Sequence, residues 1–308
     1  MPDVCVVGSF MMDLVLRAPR RPEAGETVIG TSFGMFLGGK GFNQAVAAAR
    51  SGAATAMVGR VGDDEFGHRF VASLEKEGID ASEVHATDDL GTGVGMPLVE
   101  DSGENSIVVV PRANHGMQPV DVKAAKRLIQ ESQVLLLQLE LPYDVVLEAA
   151  TVAHEAGTLV VLNPAPAVAG LEEFAGLVDF VVPNESEASR LTGVSCEGEG
   201  AARAAKALLA ETGASGVALT LGPRGVLVAY DGTVDLVDGH RVSCIDSVGA
   251  GDAFCGGLAA SLARGAGLTE AAAYGNAAGA LAVSRHGAEP SMPRRDEVEV
   301  LLARRLGA

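Results

Sequence analysis

The residues best placed to do chemistry lie in two glycine-rich stretches. The first is Asp246-Ser247-Val248-Gly249-Ala250-Gly251-Asp252, which opens a helix-like run beginning Ala253-Phe254-Cys255. Without side chains at Gly249 and Gly251, a phosphate can approach the main chain closely. The N–H groups of Gly249, Ala250, Gly251 and Asp252 fall at a helix N-terminus, where they lack intrahelical partners and form an anion hole. Asp252 stands at its mouth, and the helix dipole favours its ionised form at neutral pH. Such a carboxylate can accept a hydroxyl proton while the alkoxide attacks a γ-phosphate. Phosphoryl transfer needs mainly positioning and charge stabilisation, so a weak base suffices. The same residues also describe a tight turn with Asp252 as a simple cap.

The second stretch is Gly38-Gly39-Lys40-Gly41-Phe42-Asn43. Gly34 to Lys40 has the spacing of a P-loop, but Gly41 stands where a magnesium-binding Ser or Thr belongs, which excludes that motif. What remains is a turn that brings main-chain N–H groups, Lys40 and Asn43 onto a polyhydroxylated ligand, or a strand-to-helix turn with a solvated lysine.

The elements that must position these residues alternate in type. Strands are predicted at 4–7, 55–58, 134–139, 159–162, 180–182 and 216–221. Helices are predicted at 44–50, 65–77, 143–156, 201–212, 252–264 and 269–284. Apolar strands alternating with helices imply a mostly parallel sheet covered on both faces. Two segments break the pattern, 14–37 and 91–110, with strand-like stretches at 27–29 and 107–110. They read as a small antiparallel sheet, either a lid over the cleft at the strand ends or ordinary surface hairpins.

Composition narrows the class of function. The 308 residues suffice for a large core. Forty acidic residues against 23 basic ones give a net charge of -17, which disfavours nucleic acid. The four cysteines form no CxxC pair and no zinc pattern, and read as buried free thiols of a reducing compartment. No basic, apolar leader opens the chain and no apolar run reaches about eighteen residues, so a cytoplasmic protein is expected.

Taken together, the Gly-Gly-Lys-Gly-x-Asn and Asp-x-x-Gly-Ala-Gly-Asp stretches resemble the paired signatures of the ribokinase (PfkB) family of carbohydrate kinases. The likeness runs along the whole chain: Gly8-Ser9-Phe10-Met11-Met12-Asp13, Pro22-Glu23-Ala24-Gly25-Glu26-Thr27, Asn163-Pro164-Ala165-Pro166-Ala167, Pro183-Asn184-Glu185-Ser186-Glu187-Ala188, Thr220-Leu221-Gly222-Pro223-Arg224-Gly225 and Gly287-Ala288-Glu289-Pro290-Ser291-Met292-Pro293 all match its pattern. The resemblance implies a three-layer α/β/α sandwich with a mostly parallel central sheet plus a small β lid. Residues 1–13, 38–90 and 111–308 would form the core, and 14–37 and 91–110 the lid.

Roles follow from the resemblance. Asp252 is the implied catalytic base, with Gly249, Ala250 and Gly251 steadying charge. Asp13, Met11, Gly39, Lys40, Asn43 and Glu140 fall at sugar-binding positions, Asp13 as the carboxylate that clamps two hydroxyls. Glu140 also reads as a solvated loop carboxylate. Asn184 and Glu187 fit an N-x-x-E motif that organises Mg2+, its waters and the ATP phosphates, with Glu187 acting through water. They also read as a helix capping box. Thr220, Gly222, Gly225 and Asn276 fall on the ATP side, although Asn276 equally suits a helix surface. Asp246, Val248, Val283, Gly287 and Ser291 match a monovalent-cation site, implying K+ as an activator. Two subunits would pair through their lids as a homodimer, with the apolar run 107–110 either in that contact or facing the sugar.

Four departures from the family pattern stand out. Ser247 replaces a usual Thr but keeps the hydroxyl. Met11 stands where many members carry an Asn that bonds the sugar, which relaxes preference for ribose over 2-deoxyribose. Phe42 replaces a common Ala and adds bulk beside the sugar loop. The stretch Pro111-Arg112-Ala113-Asn114 replaces a more glycine-rich one. The expected reaction is D-ribose plus ATP giving D-ribose 5-phosphate and ADP. The alternatives are a kinase of deoxyribose, another furanose or a nucleoside, and, in another class, a sugar- or nucleotide-binding regulator without catalysis.

Overall fold

A computed structural model describes residues 1–168 and 170–306. The chain starts with β1 (Val4–Val7) and rises into β2 (Met11–Ala18) and β3 (Ser32–Gly38). It returns through α1 (Lys40–Arg50), β4 (Thr55–Gly62), α2 (Glu65–Lys76) and β5 (Asp80–Thr87). A second excursion supplies β6 (Gly93–Glu100) and β7 (Asn105–Val110). Then follow α3 (Pro119–Ala124), α4 (Lys126–Gln130), β8 (Val134–Gln138), α5 (Tyr143–Ala156), β9 (Leu159–Asn163), β10 (Phe180–Val181), α6 (Glu185–Thr192) and α7 (Gly200–Thr212). The last part runs β11 (Gly216–Thr220), β12 (Gly225–Tyr230), β13 (Thr233–Asp238), α8 (Ala250–Ala263), α9 (Leu268–Ala282) and α10 (Arg295–Leu306).

Nine strands form the main sheet in the order β13-β12-β11-β10-β9-β8-β1-β4-β5. It is parallel from β11 to β5, and β12 and β13 turn antiparallel at one edge. The period of two along each strand feeds both faces. Val4, Val6 and Leu136 join a core with α1, α8 and α9, while Cys5, Val7, Leu135 and Leu137 join another with α5 and α7. This is the α/β/α sandwich expected. Among the described residues no helix is long and apolar enough to cross a membrane.

The excursions form a separate four-stranded sheet, β3-β2-β6-β7. Two expectations are corrected here. The sheet is mixed, because β2 and β6, from different excursions, run parallel while each pairs antiparallel with its own neighbour. The 27–29 stretch is no strand, and Ile29 is 86% exposed. Three β-branched residues did not outweigh the lack of a pairing partner. Since β2 starts at Met11, both Met11 and Asp13 ride on this smaller sheet.

Phe42 lies beside the sugar loop, against Phe10, and faces the core. It is fully buried and packs edge-on against Phe70, 4.9 Å between ring centroids, with Phe10 completing the cluster. Its bulk therefore anchors the first turn of α1 in the core. Asn114 is also fully buried and latches the base of the small sheet. Its Oδ1 accepts from the Phe10 N–H at 2.9 Å, and its Nδ2 donates to the Phe10 carbonyl at 2.7 Å. At the far end of α1, Arg50 donates to the Glu77 carboxylate at 2.7 Å and the Glu289 carbonyl at 2.7 Å, and pairs with the Glu289 carboxylate.

α1 and α8 lie against each other at Gly256. A Cβ there would stand 2.5 Å from Ala47 Cβ, 2.6 Å from the Gln44 carbonyl oxygen and 2.7 Å from the Ala48 nitrogen. Two of these are main-chain atoms that cannot rotate away. Gly256→Ala is therefore expected to destabilise the protein by about 1–3 kcal/mol despite alanine's better helix propensity. Urea unfolding checks this; a variant as stable as the parent contradicts the close contact.

Candidate active site

The two glycine-rich stretches meet where α1 and α8 begin. Asp252 lies in the first turn of α8, after Gly249 at the N-cap, and is only 7% exposed. Its Oδ2 accepts from Asn43 Nδ2 at 3.0 Å and its Oδ1 from Gln44 Nε2 at 3.0 Å. Asn43 Oδ1 is buried and meets no donor among the described residues, as suits an acceptor for a ligand hydroxyl.

Electrostatics at Asp252 differ from the dipole-dominated expectation. Burial pushes its carboxyl up, while the Lys40 ammonium and the amides of Gln44 and Asn43 pull it back. Burial alone would lower Lys40, but Asp252, Glu140 and Glu187 together raise it. The carboxyl of Asp252 stays above its ordinary range, with the Lys40 ammonium the largest influence opposing burial.

The glycines act for several reasons. Gly249 needs its bare Cα for its left-handed φ of +78° and because Ala288 Cα would lie 2.9 Å from a Cβ. Both expectations for the stretch, close approach to the main chain and a tight turn, bear on it. Gly251 has open space where its Cβ would be, so a ligand can come close there. Of the four N–H groups expected to form an anion hole, that of Ala250 bonds weakly to the Ser247 carbonyl at 3.3 Å, whereas those of Gly249, Gly251 and Asp252 meet no main-chain acceptor among the described residues. In the other stretch, Gly39 takes φ +91° at the N-cap of α1, and Gly41 lets that helix lie against the main chain of Gly8 and Ser9.

Glu140, in the loop after β8, is no solvated carboxylate. Its Oε2 accepts from the Lys40 N–H at 2.9 Å and from the Ser9 hydroxyl. It thereby ties the start of α1 to the β1–β2 link. Asp13 sits in β2 between two bare positions. A Cβ on Gly38 would stand 2.4 Å from its Oδ2, and one on Gly95 2.5 Å from its Oδ1. No described group donates to Asp13, and burial, with the nearby Glu140 charge, pushes it up to about 6. Met11, 5% exposed, lies on the same face two residues before.

Two cavities adjoin Asp252 and share Thr220, Ser247 and Gly251. One of about 210 Å³ is lined by Lys40, Asn184, Glu187 and Asp252. The other, of about 360 Å³ and mostly apolar, is lined by Gly222, Gly225, Phe254, Asn276 and Val283. Asn276 Nδ2 donates to the Asp238 carbonyl at 2.9 Å, so it is no surface residue. Cys244 is exposed and lines the second cavity, unlike the three other, buried thiols.

Asn184 and Glu187 form a full capping box on α6. Glu187 Oε2 accepts from the Asn184 N–H, and Asn184 Oδ1 from the Glu187 N–H, both at 2.8 Å. Glu187 also lines the smaller cavity with Lys40. A hard carboxylate there suits an ion held through its own waters, as Mg2+ prefers. Asp246 gathers the loops behind α8. Its Oδ1 accepts from Val248 N–H at 3.0 Å and its Oδ2 from Gly287 N–H at 2.9 Å, while its own N–H donates to the Val283 carbonyl at 3.2 Å. Ser291 is buried with its hydroxyl turned to the Ala288 carbonyl at 2.7 Å. Among the described residues no cluster of three or more His, Cys, Asp or Glu is set to hold a metal. A cation there would be held by carbonyl oxygens and one carboxylate.

Three residues around Asp252 escaped sequence reasoning as functional: Gln44, Gln138 and Asn163. Gln138 and Asn163 end the apolar runs of β8 and β9 and are register partners. A polar residue closing each of two neighbouring buried strands was the available signal.

A mostly parallel sheet with a separate lid-like sheet, and a buried carboxylate at a helix N-terminus beside two cavities, define a sugar-kinase type of site. Residues 1–295 match the pfkB family carbohydrate kinases, and the chain belongs to that family. It is 39% identical to ribokinase of Haemophilus influenzae over 95% of each chain, and 36% identical to deoxyribokinase of Salmonella typhimurium over 82% of this chain and 83% of the other. Its fold superposes on Arabidopsis thaliana ribokinase complexed with ribose and ATP at a TM-score of 0.90, with 30% identity and 98% of each chain covered. The enzyme is thus an ATP-dependent sugar kinase.

The raised Asp13 carboxyl has a stability signature. Between about pH 4 and 6 the folded chain keeps a proton that the unfolded chain releases, so Asp13 contributes least above pH 6. Asp13→Asn is expected to be more stable than the parent by about 2 kcal/mol at pH 8, with the gain vanishing near pH 4, and to bind sugar far more weakly. Urea melts at both pH values check the sign; a gain confined to low pH contradicts it.

Proposed function

We propose that this chain transfers the γ-phosphoryl group of ATP to the primary hydroxyl of D-ribose, giving D-ribose 5-phosphate and ADP. The observation that carries it is Asp252, a buried carboxylate held by two amides at a helix N-terminus and open to a cavity it shares with Lys40 and Glu187. In this reading the sugar lies between the small sheet and α1, with Asp13 clamping two hydroxyls and Asn43 and Gly39 holding the rest. Segments 14–37 and 91–110 act as the lid, with Met11 and Asp13 at its root in β2, and the remaining residues as the core. Asp252 takes the hydroxyl proton. The alkoxide oxygen bonds the γ-phosphorus, the bond to the bridging oxygen breaks, and ADP leaves with that electron pair. The N–H groups of Gly251 and Asp252, with Lys40, steady the charge that builds on the phosphoryl oxygens. Thr220, Gly222, Gly225 and Asn276 seat the nucleotide in the apolar cavity.

Asn184 and, through water, Glu187 would hold Mg2+, which would supply charge neutralisation of the phosphates. Asp246, with Val248, Val283, Gly287 and Ser291, would hold K+, which would fix the loop that carries Gly249. Ser291 shapes that loop from inside. The chain works in the cytoplasm as a homodimer through the lid, where Ile107, Val108, Val109 and Val110 are 45–64% exposed on β7.

A second reading, 2-deoxyribose, is favoured by Met11. It places a thioether at the sugar side of Asp13, where it provides no hydrogen-bond donor.

Three measurements test these readings. Asp252→Asn should lose on the order of 10²–10⁴-fold in kcat while still binding ATP, by coupled ADP release and calorimetry; near-parental turnover removes Asp252 as the base. Met11→Asn should raise the ribose-to-deoxyribose ratio of kcat/KM several-fold, on the order of one hydrogen bond. An unmoved ratio takes Met11 out of the selection. Val108→Lys should yield monomers in sedimentation velocity, and an unchanged dimer places the contact elsewhere.

A further inference from the structure

Gln44 is wholly buried and lines neither cavity, yet it supplies one of only two side-chain donors that reach Asp252 among the described residues. It belongs to a chain of amides across three strand ends. Asn163 Nδ2 donates to the Val182 carbonyl at 2.8 Å. Gln44 Nε2 donates to Asn163 Oδ1 at 3.1 Å and to Asp252 Oδ1 at 3.0 Å. Gln138 Nε2 donates to Gln44 Oε1 at 2.7 Å. Gln138 is 1% exposed and Asn163, which also lines the smaller cavity, 7%.

An amide can present either end to a neighbour, and here the polarity is fixed from outside. The Val182 carbonyl can only accept, so Asn163 must turn its nitrogen toward it and its oxygen toward Gln44. Gln44 must then offer its nitrogen, whose second hydrogen faces Asp252. Its oxygen is left for Gln138, which offers a donor. Every link follows from a main-chain carbonyl at the end of β10, and the outcome is a donor, never an acceptor, facing the carboxylate.

We propose that Gln44 is a positioning residue of the phosphoryl transfer, holding Asp252 Oδ1 through this one-way chain so that Oδ2, beside Asn43, is the oxygen that receives the substrate proton. The inference rests on Asp252 being the base. Asp252 is also faced by Lys40 of α1, Glu140 of the loop after β8, Glu187 of α6 and Cys255 of its own helix. None of these changes when Gln44 is replaced. A lost donor to the charged form then moves the base upward.

The test is Gln44→Met, which keeps the length of the side chain and removes the donor, compared with Gln138→Met and Asp252→Asn in the full-length enzyme. Gln44→Met should lower kcat on the order of ten- to a hundredfold while KM for ribose and ATP stays within about twofold. The acid limb of its kcat/KM profile should move up by about one pH unit. Gln138→Met, which frees the far end of Gln44, should shift both in the same direction by less, and it carries the test if Gln44→Met does not fold. Parental kcat and acid limb in a folded variant overturn the proposal, as does a rise in KM alone. If Asp252→Asn is itself active, the base assignment has failed; if it is dead and Gln44→Met is parental, only Gln44's role has.

Discussion

A carboxylate that must stay charged inside the protein is the constraint around which the site is organised. Asp252 has almost no contact with water, and burial alone would neutralise it. Three things oppose that: the N-terminus of α8, the Lys40 ammonium, and the amides of Asn43 and Gln44. Lys40, Asn43 and Gln44 all come from the first two turns of α1. The helix contact at Gly256, the glycine contact of Gly41 with Gly8, and the Glu140 bond to the Lys40 N–H all serve to bring that one helix end to that one carboxylate.

The same requirement explains the division of labour between the sheets. The large sheet delivers Asn163, Asn184 and Thr220 at the C-terminal ends of its strands, next to α8. The small sheet delivers Asp13 and Met11 from the opposite side. Neither sheet alone encloses a substrate, and the latch of Asn114 on Phe10 sits at the point where the chain passes from one to the other.

Much of this was legible in the sequence because it depends on local rules. Buried strands such as 134–138 and helices such as 143–156 declare themselves by apolar runs and periodicity. The two glycine-rich stretches declare themselves by composition and fix Asp252, Lys40 and Asn43 as a group. What stayed hidden depends on contacts between distant segments. The parallel pairing of β2 with β6 joins two excursions about eighty residues apart in register, and no local pattern encodes it. That Phe42 faces the core was not visible, because its partners Phe10 and Phe70 lie in other elements. Gln44 read as an ordinary helical residue since its importance lies in a hydrogen-bond polarity set at Val182.

Arg50 binds together parts of the chain that would otherwise evolve separately. Its single guanidinium is shared by α1, the end of α2 through Glu77, and the turn at Glu289 that follows the Asp246–Gly287 contact. The C-terminal loop is therefore not a transplantable module. A chimera that imported this loop from a related kinase without a matching acid at position 289 would strand a half-buried cation against the helix that carries Lys40. The imported loop and the sugar-facing helix would have to be exchanged as one piece.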